Sequence, residues 1–85
     1  MYGRILIHKQ NFQSQLQKLS NIAQKYKFQI EISQEGIVVN AKSLIGLLVL
    51  DYESSVNIVC KTADKDEEAL FFKKIKKIFA PETGI

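Results

Sequence analysis

The sequence predicts an α+β fold in which three helices cover one face of a mostly antiparallel, four-stranded sheet. Two kinds of pattern indicate this class. In some segments apolar residues recur every three or four positions, which is typical of helices with one buried stripe. In others they alternate with polar residues, which is typical of strands with one buried face. The predicted order is β-α-β-β-α-β-α, and we expect the face of the sheet without helices to be mainly exposed to solvent.

The first strand and the first helix occupy the N-terminal part of the chain. Arg4–His8 is short and rich in branched aliphatic residues, which favours a strand. The helix is expected to begin after Asn11, whose side-chain oxygen would cap it by accepting a hydrogen bond from a first-turn amide. Its buried stripe comprises Phe12, Leu16, Leu19, Ala23 and Tyr26.

A hairpin is predicted next. Phe28, Ile30 and Ile32 alternate with polar residues, which indicates a strand with one buried face. Glu35-Gly36 supplies a tight turn, because Gly36 is free to take a positive φ, and Ile37–Val39 follows as the partner strand.

The middle of the chain holds an apolar run, Ser43–Leu50, that periodicity alone leaves ambiguous between helix and strand. Its leucine content favours a short helix, with Asn40 or Ser43 as the cap. A fourth strand follows, in which Val56, Ile58 and Cys60 alternate with other residues.

The last helix is predicted to begin at Asp64, with Glu67 completing a pattern like a capping box. It should end before Pro81. Its apolar stripe comprises Leu70 or Phe71, then Ile75, Ile78 and Phe79. Phe71 and Phe72 cannot both point inward, so one of them is a candidate contact for a partner.

Composition places the chain among ordinary globular proteins, with 46% hydrophobic and 25% charged residues. We expect one domain over residues 1–85, with 81–85 as a short C-terminal tail. No stretch approaches the roughly 20 apolar residues of a membrane span, and no signal-peptide pattern is visible. A cytoplasmic location without membrane insertion is therefore expected. The single cysteine, Cys60, excludes an internal disulfide and a multi-cysteine metal site, and no cofactor is predicted.

Residues 39–48 read V-N-A-K-S-L-I-G-L-L, which resembles the regulatory-serine segment of the HPr phosphocarrier family and of its catabolite-repression paralogue. The N-x-K-S piece and the glycine three residues after the serine coincide with the family pattern. The resemblance extends over nearly the whole chain and implies the HPr-like open-faced sandwich. A ferredoxin-like sheet is the main alternative, although it ordinarily lacks the short apolar helix and the terminal helix.

The start of the first helix departs from the family. HPr carries G-I-H-A-R-P there, and its histidine accepts phosphate from the first enzyme of the sugar phosphotransferase system. A comparison without gaps puts Phe12 at the position of that histidine and Ser14 at that of the arginine. Because a phenyl ring offers no nucleophilic nitrogen, no catalytic residue is assigned. The resemblance therefore implies a degenerate HPr-like protein that is not an enzyme.

The segment around Ser43 supplies the predicted functional residues. Ser43 resembles the serine that HPr kinase phosphorylates in Gram-positive bacteria, although it is also a suitable helix cap that needs no kinase. An apolar patch that family members use for docking matches Leu44, Ile45 and Leu48, which are the predicted partner-binding residues. Leu47 and Leu50 are expected in the core.

Three functions remain open on the sequence. The leading one is a non-catalytic regulatory or adaptor protein that binds protein partners, such as an HPr-type serine kinase or a transcriptional regulator. The second is a divergent phosphotransferase-system carrier that uses His8 or another residue. The third is a nucleic-acid or anionic-surface binder with a basic face formed by Lys73, Lys74, Lys76 and Lys77. Lysines near a helix C-terminus also complement the helix dipole, which favours an ordinary solvated face.

Overall fold

The computed structural model of the protein describes residues 2–7, 11–51 and 54–79, the first range by its backbone alone. The elements are β1 (Tyr2–Ile7), α1 (Phe12–Ala23), β2 (Gln29–Gln34), β3 (Ile37–Asn40), α2 (Leu44–Leu47), β4 (Ser54–Lys61) and α3 (Lys65–Ile78). This order confirms the α+β class and the three predicted helices. Both helices that a ferredoxin-like sheet would lack, α2 and α3, are present. Pro81 and the predicted tail 81–85 lie outside the described residues.

The sheet has the strand order β1-β4-β2-β3, and every neighbouring pair is antiparallel. The β2–β3 hairpin is closed by Glu35 at φ 46° and Gly36 at φ 88°. Two central residues with positive φ are typical of a type I′ turn, whose twist matches that of the strands it joins. The turn predicted at Glu35-Gly36 is therefore confirmed, and Glu35 shares the left-handed conformation expected only of the glycine.

The core lies between the sheet and the helices. Alternate residues of the two central strands are buried on the helix side, namely Ile30, Ile32, Val56, Ile58 and Cys60. They pack with Leu16, Leu19, Ala23, Phe71 and Ile75 from α1 and α3. The intervening strand residues are half-buried or exposed, as predicted for a sheet with one open face.

The predicted cap of α1 is wrong in its mechanism. Asn11 is the residue before the helix, but its backbone is left-handed, at φ 67° and ψ 15°, and its side chain makes no capping hydrogen bond. Asparagine is among the few residues other than glycine that tolerate this conformation. The asparagine at this position is explained by its backbone conformation.

The start of α3 follows the prediction more closely. Asp64 Oδ1 accepts hydrogen bonds from the amides of Asp66 and Glu67, each at 3.1 Å. The Asp64 amide donates to Thr62 Oγ1 at 3.0 Å, so Thr62 supplies the acceptor that Glu67 provides in a capping box. Phe71 is the aromatic residue that points into the core, and Phe72 is half-buried against it.

Candidate functional site

The start of α1 is the first place where the sequence predicts a functional position. Phe12 is the first residue of α1, and its half-buried side chain packs against the hydrophobic core. Ser14 lies exposed in the first turn. Gln15 Nε2 donates to the Ile78 carbonyl at 3.4 Å, which places the start of α1 beside the end of α3. The side chains of Phe12 and Ser14 bring neither an imidazole nor a positive charge to this corner.

The chain contains a single histidine, His8. It lies outside the residues that the structure describes, so its suggested role as a substitute nucleophile stays a prediction.

Ser43 is the residue before α2, and its backbone is extended at φ −109° and ψ 109°. Its Oγ accepts a hydrogen bond from the Gly46 amide at 3.2 Å, so it caps the helix as the sequence predicts. The side chain is exposed. The hydroxyl group is therefore accessible from solvent while it also serves as a structural acceptor.

Lys42, directly before Ser43, is anchored to α1 and to the loop after it. Its carbonyl accepts hydrogen bonds from Ser20 Oγ at 3.2 Å and from Gln24 Nε2 at 3.1 Å. Its ammonium Nζ donates to the Tyr26 carbonyl at 2.6 Å. Its own amide donates to Asn40 Oδ1 at 2.8 Å. The backbone and the side chain of Lys42 are thus both engaged.

A second anchor lies just beyond α2. Gln34, buried at the end of β2, uses both groups of its side-chain amide on the backbone of Asp51. Gln34 Nε2 donates to the Asp51 carbonyl at 3.0 Å, and the Asp51 amide donates to Gln34 Oε1 at 2.7 Å. The segment that contains α2 is therefore tied to the rest of the fold on both sides.

The aliphatic residues of this segment divide between the core and the surface. Leu47 and Leu50 are buried, as predicted. Leu44 is half-buried and packs against the core. Ile45 is 81% exposed, Leu48 43% and Val49 57%. We call the set Leu44, Ile45, Leu48 and Val49 the α2 surface.

Val49 is the member that the sequence did not predict. The α-helix ends at Leu47. Beyond it, the amides of Val49 and Leu50 donate to the carbonyls three residues earlier, those of Gly46 and Leu47, as in a 3₁₀ turn. Leu47 and Leu50, three residues apart, therefore stay on the buried side, and Val49 between them lies on the surface.

Lys73, Lys74, Lys76 and Lys77 of α3 are all exposed. Because successive helix residues turn by about 100°, positions 73, 74, 76 and 77 spread over an arc of about 160° on the outer side of α3. The first turn of the same helix is acidic and the last turn basic, which complements the helix dipole. Lys74 Nζ lies 5.5 Å from the centre of the Tyr26 ring, within the range of a cation–π contact.

We also searched the described part of the chain for a reactive cysteine, a metal site and a membrane-spanning helix. Cys60 is buried, and desolvation, reinforced by the charge of Glu68, raises the pKa of its thiol to about 11. The thiol is therefore protonated at neutral pH and is a poor nucleophile. Residues 2–7, 11–51 and 54–79 contain no cluster of histidine, cysteine and acidic residues able to hold a metal. None of the helices within these ranges has the length and hydropathy to cross a bilayer.

Comparison with known proteins agrees with this architecture. A family model described as the PTS HPr component phosphorylation site matches residues 15–80, a stretch that begins after Phe12 and Ser14. A search of curated proteins finds no significant match.

Several solved bacterial structures share the fold. A histidine-containing phosphocarrier protein of Mycoplasma superposes with a TM-score of 0.75 at 15% identity, covering 93% of this chain and 97% of its own. HPr from Thermoanaerobacter tengcongensis superposes with a TM-score of 0.72 at 19% identity, and the match covers 96% of each chain. HPr from Bacillus anthracis superposes with a TM-score of 0.71 at 18% identity, and the match covers 93% of this chain and 95% of that one. At these identities the structural likeness shows the fold alone.

Proposed function

This chain belongs to the HPr family of the phosphotransferase system, and we propose that it is a regulatory or adaptor member that binds protein partners without carrying phosphate on a histidine. Proteins of this family are phosphocarriers and not enzymes. The observation that carries the proposal is Phe12 at the first position of α1.

Phosphoryl transfer to histidine needs a neutral imidazole nitrogen that attacks phosphorus and becomes bonded to it. The benzyl side chain of Phe12 presents only carbon, and it packs against the core. Ser14 supplies no guanidinium to pair with a phosphoryl group. Neither Phe12 nor Ser14 supplies a group that the carrier reaction uses.

The α2 surface supports the binding role. Its exposed aliphatic side chains would release water on docking, and each Å² of apolar area removed from water stabilises a complex by about 25 cal/mol. Ser43 lies directly beside this surface, and a phosphate there would add a charge of about −1.5 to −2. We therefore assign Ser43 as the regulatory site and an HPr-type serine kinase or a transcriptional regulator as the partner. We also propose that residues 1–85 form one domain and that the protein is located in the cytoplasm.

A phosphotransfer assay tests the carrier question. The protein is incubated with phosphoenolpyruvate and the first enzyme of the phosphotransferase system, with a histidine-containing HPr as the positive control. We expect the control to gain an acid-labile phosphoryl group and this protein to gain none, by intact-mass measurement before and after mild acid.

An acid-labile phosphoryl group on this protein would overturn the proposal. Repeating the assay with His8→Ala then locates the group: its loss in that variant would assign the carrier role to His8, the chain's single histidine.

A further inference from the structure

We propose that Lys42 and Gln34, neither of which belongs to the α2 surface, are positioning residues that hold this surface in its conformation. The inference rests on the proposed function for its biological meaning, because the α2 surface is the docking site assigned there. The conformation itself is testable without any partner.

A helix as short as α2 cannot hold its own shape. It spans only Leu44–Leu47, whereas isolated helices shorter than about 12 residues are marginal in water. Of these four residues only Leu47 is fully buried, so packing fixes one side of the turn and leaves Ile45 unsupported. Core packing of Leu44 and Leu47 does not orient the exposed side of the turn, so we expect the ends of the segment to contribute to its conformation.

The N-terminal anchor joins the segment to α1 through Lys42. The Tyr26 carbonyl lies just beyond the end of α1, where the helix offers no amide partner, and the Lys42 ammonium satisfies it at 2.6 Å. Ser20 and Gln24 hold the Lys42 carbonyl from the last turns of the same helix. With the side chain and the carbonyl both fixed, the peptide that leads into Ser43 has a defined orientation.

The C-terminal anchor joins the segment to the sheet through Gln34. Its buried amide forms two hydrogen bonds with the Asp51 backbone, as a neighbouring strand would. Both polar groups of the amide are thereby satisfied, so the side chain has little freedom to leave. Together the two anchors fix the segment from 42 to 51 at both ends.

Amide exchange measured by NMR tests this arrangement directly. In Lys42→Met and Gln34→Met we expect the amides of Gly46 and Leu48 to exchange about tenfold faster, which corresponds to about 1.4 kcal/mol of local stability. The amides of the central strand β4 exchange through global unfolding, which also breaks the anchor, so they should accelerate by no more than the same factor. Lys42→Arg should restore the wild-type rate, since a guanidinium can also donate to the Tyr26 carbonyl.

Matched controls separate the anchors from ordinary polar contacts. Lys61→Met also removes an ammonium, one that pairs with Glu31 at 3.6 Å on the open face of the sheet. Gln17→Met also removes an amide hydrogen bond, one that Gln17 makes to Asn21 on the outer side of α1. Neither control should change the exchange of Gly46. Wild-type exchange in Lys42→Met and Gln34→Met would overturn the proposal, and so would equal acceleration in the controls.

Kinetics with an HPr-type serine kinase and ATP form a separate arm. We expect Lys42→Met to raise the KM of the kinase for this protein about tenfold with a smaller change in kcat, and Lys42→Arg to restore the KM. If wild-type protein accepts no phosphate, regulation at Ser43 fails, while the exchange rates still decide whether the anchors act. Faster exchange with an unchanged KM would contradict a role of the anchors in kinase recognition.

Discussion

Ser43 caps α2 and, in the proposed function, is also a phosphorylation site, and these two roles make different chemical demands. As a cap it needs only an oxygen that accepts from the Gly46 amide. As a phosphorylation site it needs an accessible hydroxyl group, and its side chain is exposed. Aspartate is as good a helix cap as serine but lacks the hydroxyl, so one pair of substitutions distinguishes the two roles.

We predict that Ser43→Ala and Ser43→Asp both abolish phosphorylation by an HPr-type serine kinase, measured by intact mass. Only Ser43→Ala should lose stability, by about 1 kcal/mol in urea unfolding, because it alone removes the acceptor for the Gly46 amide. Phosphate on Ser43→Ala would place the modification at another residue. Equal stability of the alanine variant and wild type would show that the cap contributes nothing.

At the scale of elements, α1 illustrates how one residue type serves different structures. Asparagine before a helix is common because its side chain caps, and it is also tolerated in the left-handed region. In this protein the second reason applies, because Asn11 has φ 67° and no capping bond from its side chain. The two explanations predict opposite rankings of serine and glycine at this position.

We predict that Asn11→Gly leaves the free energy of unfolding unchanged or slightly raised, because glycine adopts positive φ freely. Asn11→Ser should lower it by about 1 kcal/mol, since an ordinary side chain is strained there. Thermal and urea unfolding of the two variants provide the measurement. A stable serine variant beside a destabilised glycine variant would restore the capping explanation.

The contrast between elements shows what the sequence could reveal. The caps at Ser43 and Asp64 and the turn at Glu35-Gly36 depend on neighbours within four residues, so local patterns predicted them. The bonds of Lys42 to Tyr26 and of Gln34 to Asp51 span 16 and 17 residues and follow no periodicity. Such contacts exist only once the fold has formed, and no local rule foresees them.

For the whole molecule, the question is whether its net charge of +3 creates a binding surface for nucleic acid. Lys73, Lys74, Lys76 and Lys77 are spread over the outer side of α3, and acidic residues occupy its first turn. Within the described residues, Lys61 is also paired with Glu31. The charge is therefore distributed and weakly focused, which favours solubility more than nucleic-acid recognition.

We predict only weak binding to duplex DNA at low salt, measured by fluorescence anisotropy, and none at about 150 mM salt, near physiological ionic strength. Replacing Lys73, Lys74, Lys76 and Lys77 by glutamine should change this little. Tight binding that survives physiological salt and disappears in the glutamine variant would support the nucleic-acid function instead.

In the proposed function, Phe12 also limits the number of phosphorylation signals that the molecule can receive. A phosphorylated imidazole would alternately add and remove negative charge beside the end of α3, whereas a phenyl ring keeps that corner electrically constant. In the proposed function a partner on the α2 surface then responds to Ser43 alone. The protein would then respond to phosphorylation at one residue only, and phosphoryl transfer along the phosphotransferase system would leave its charge unchanged.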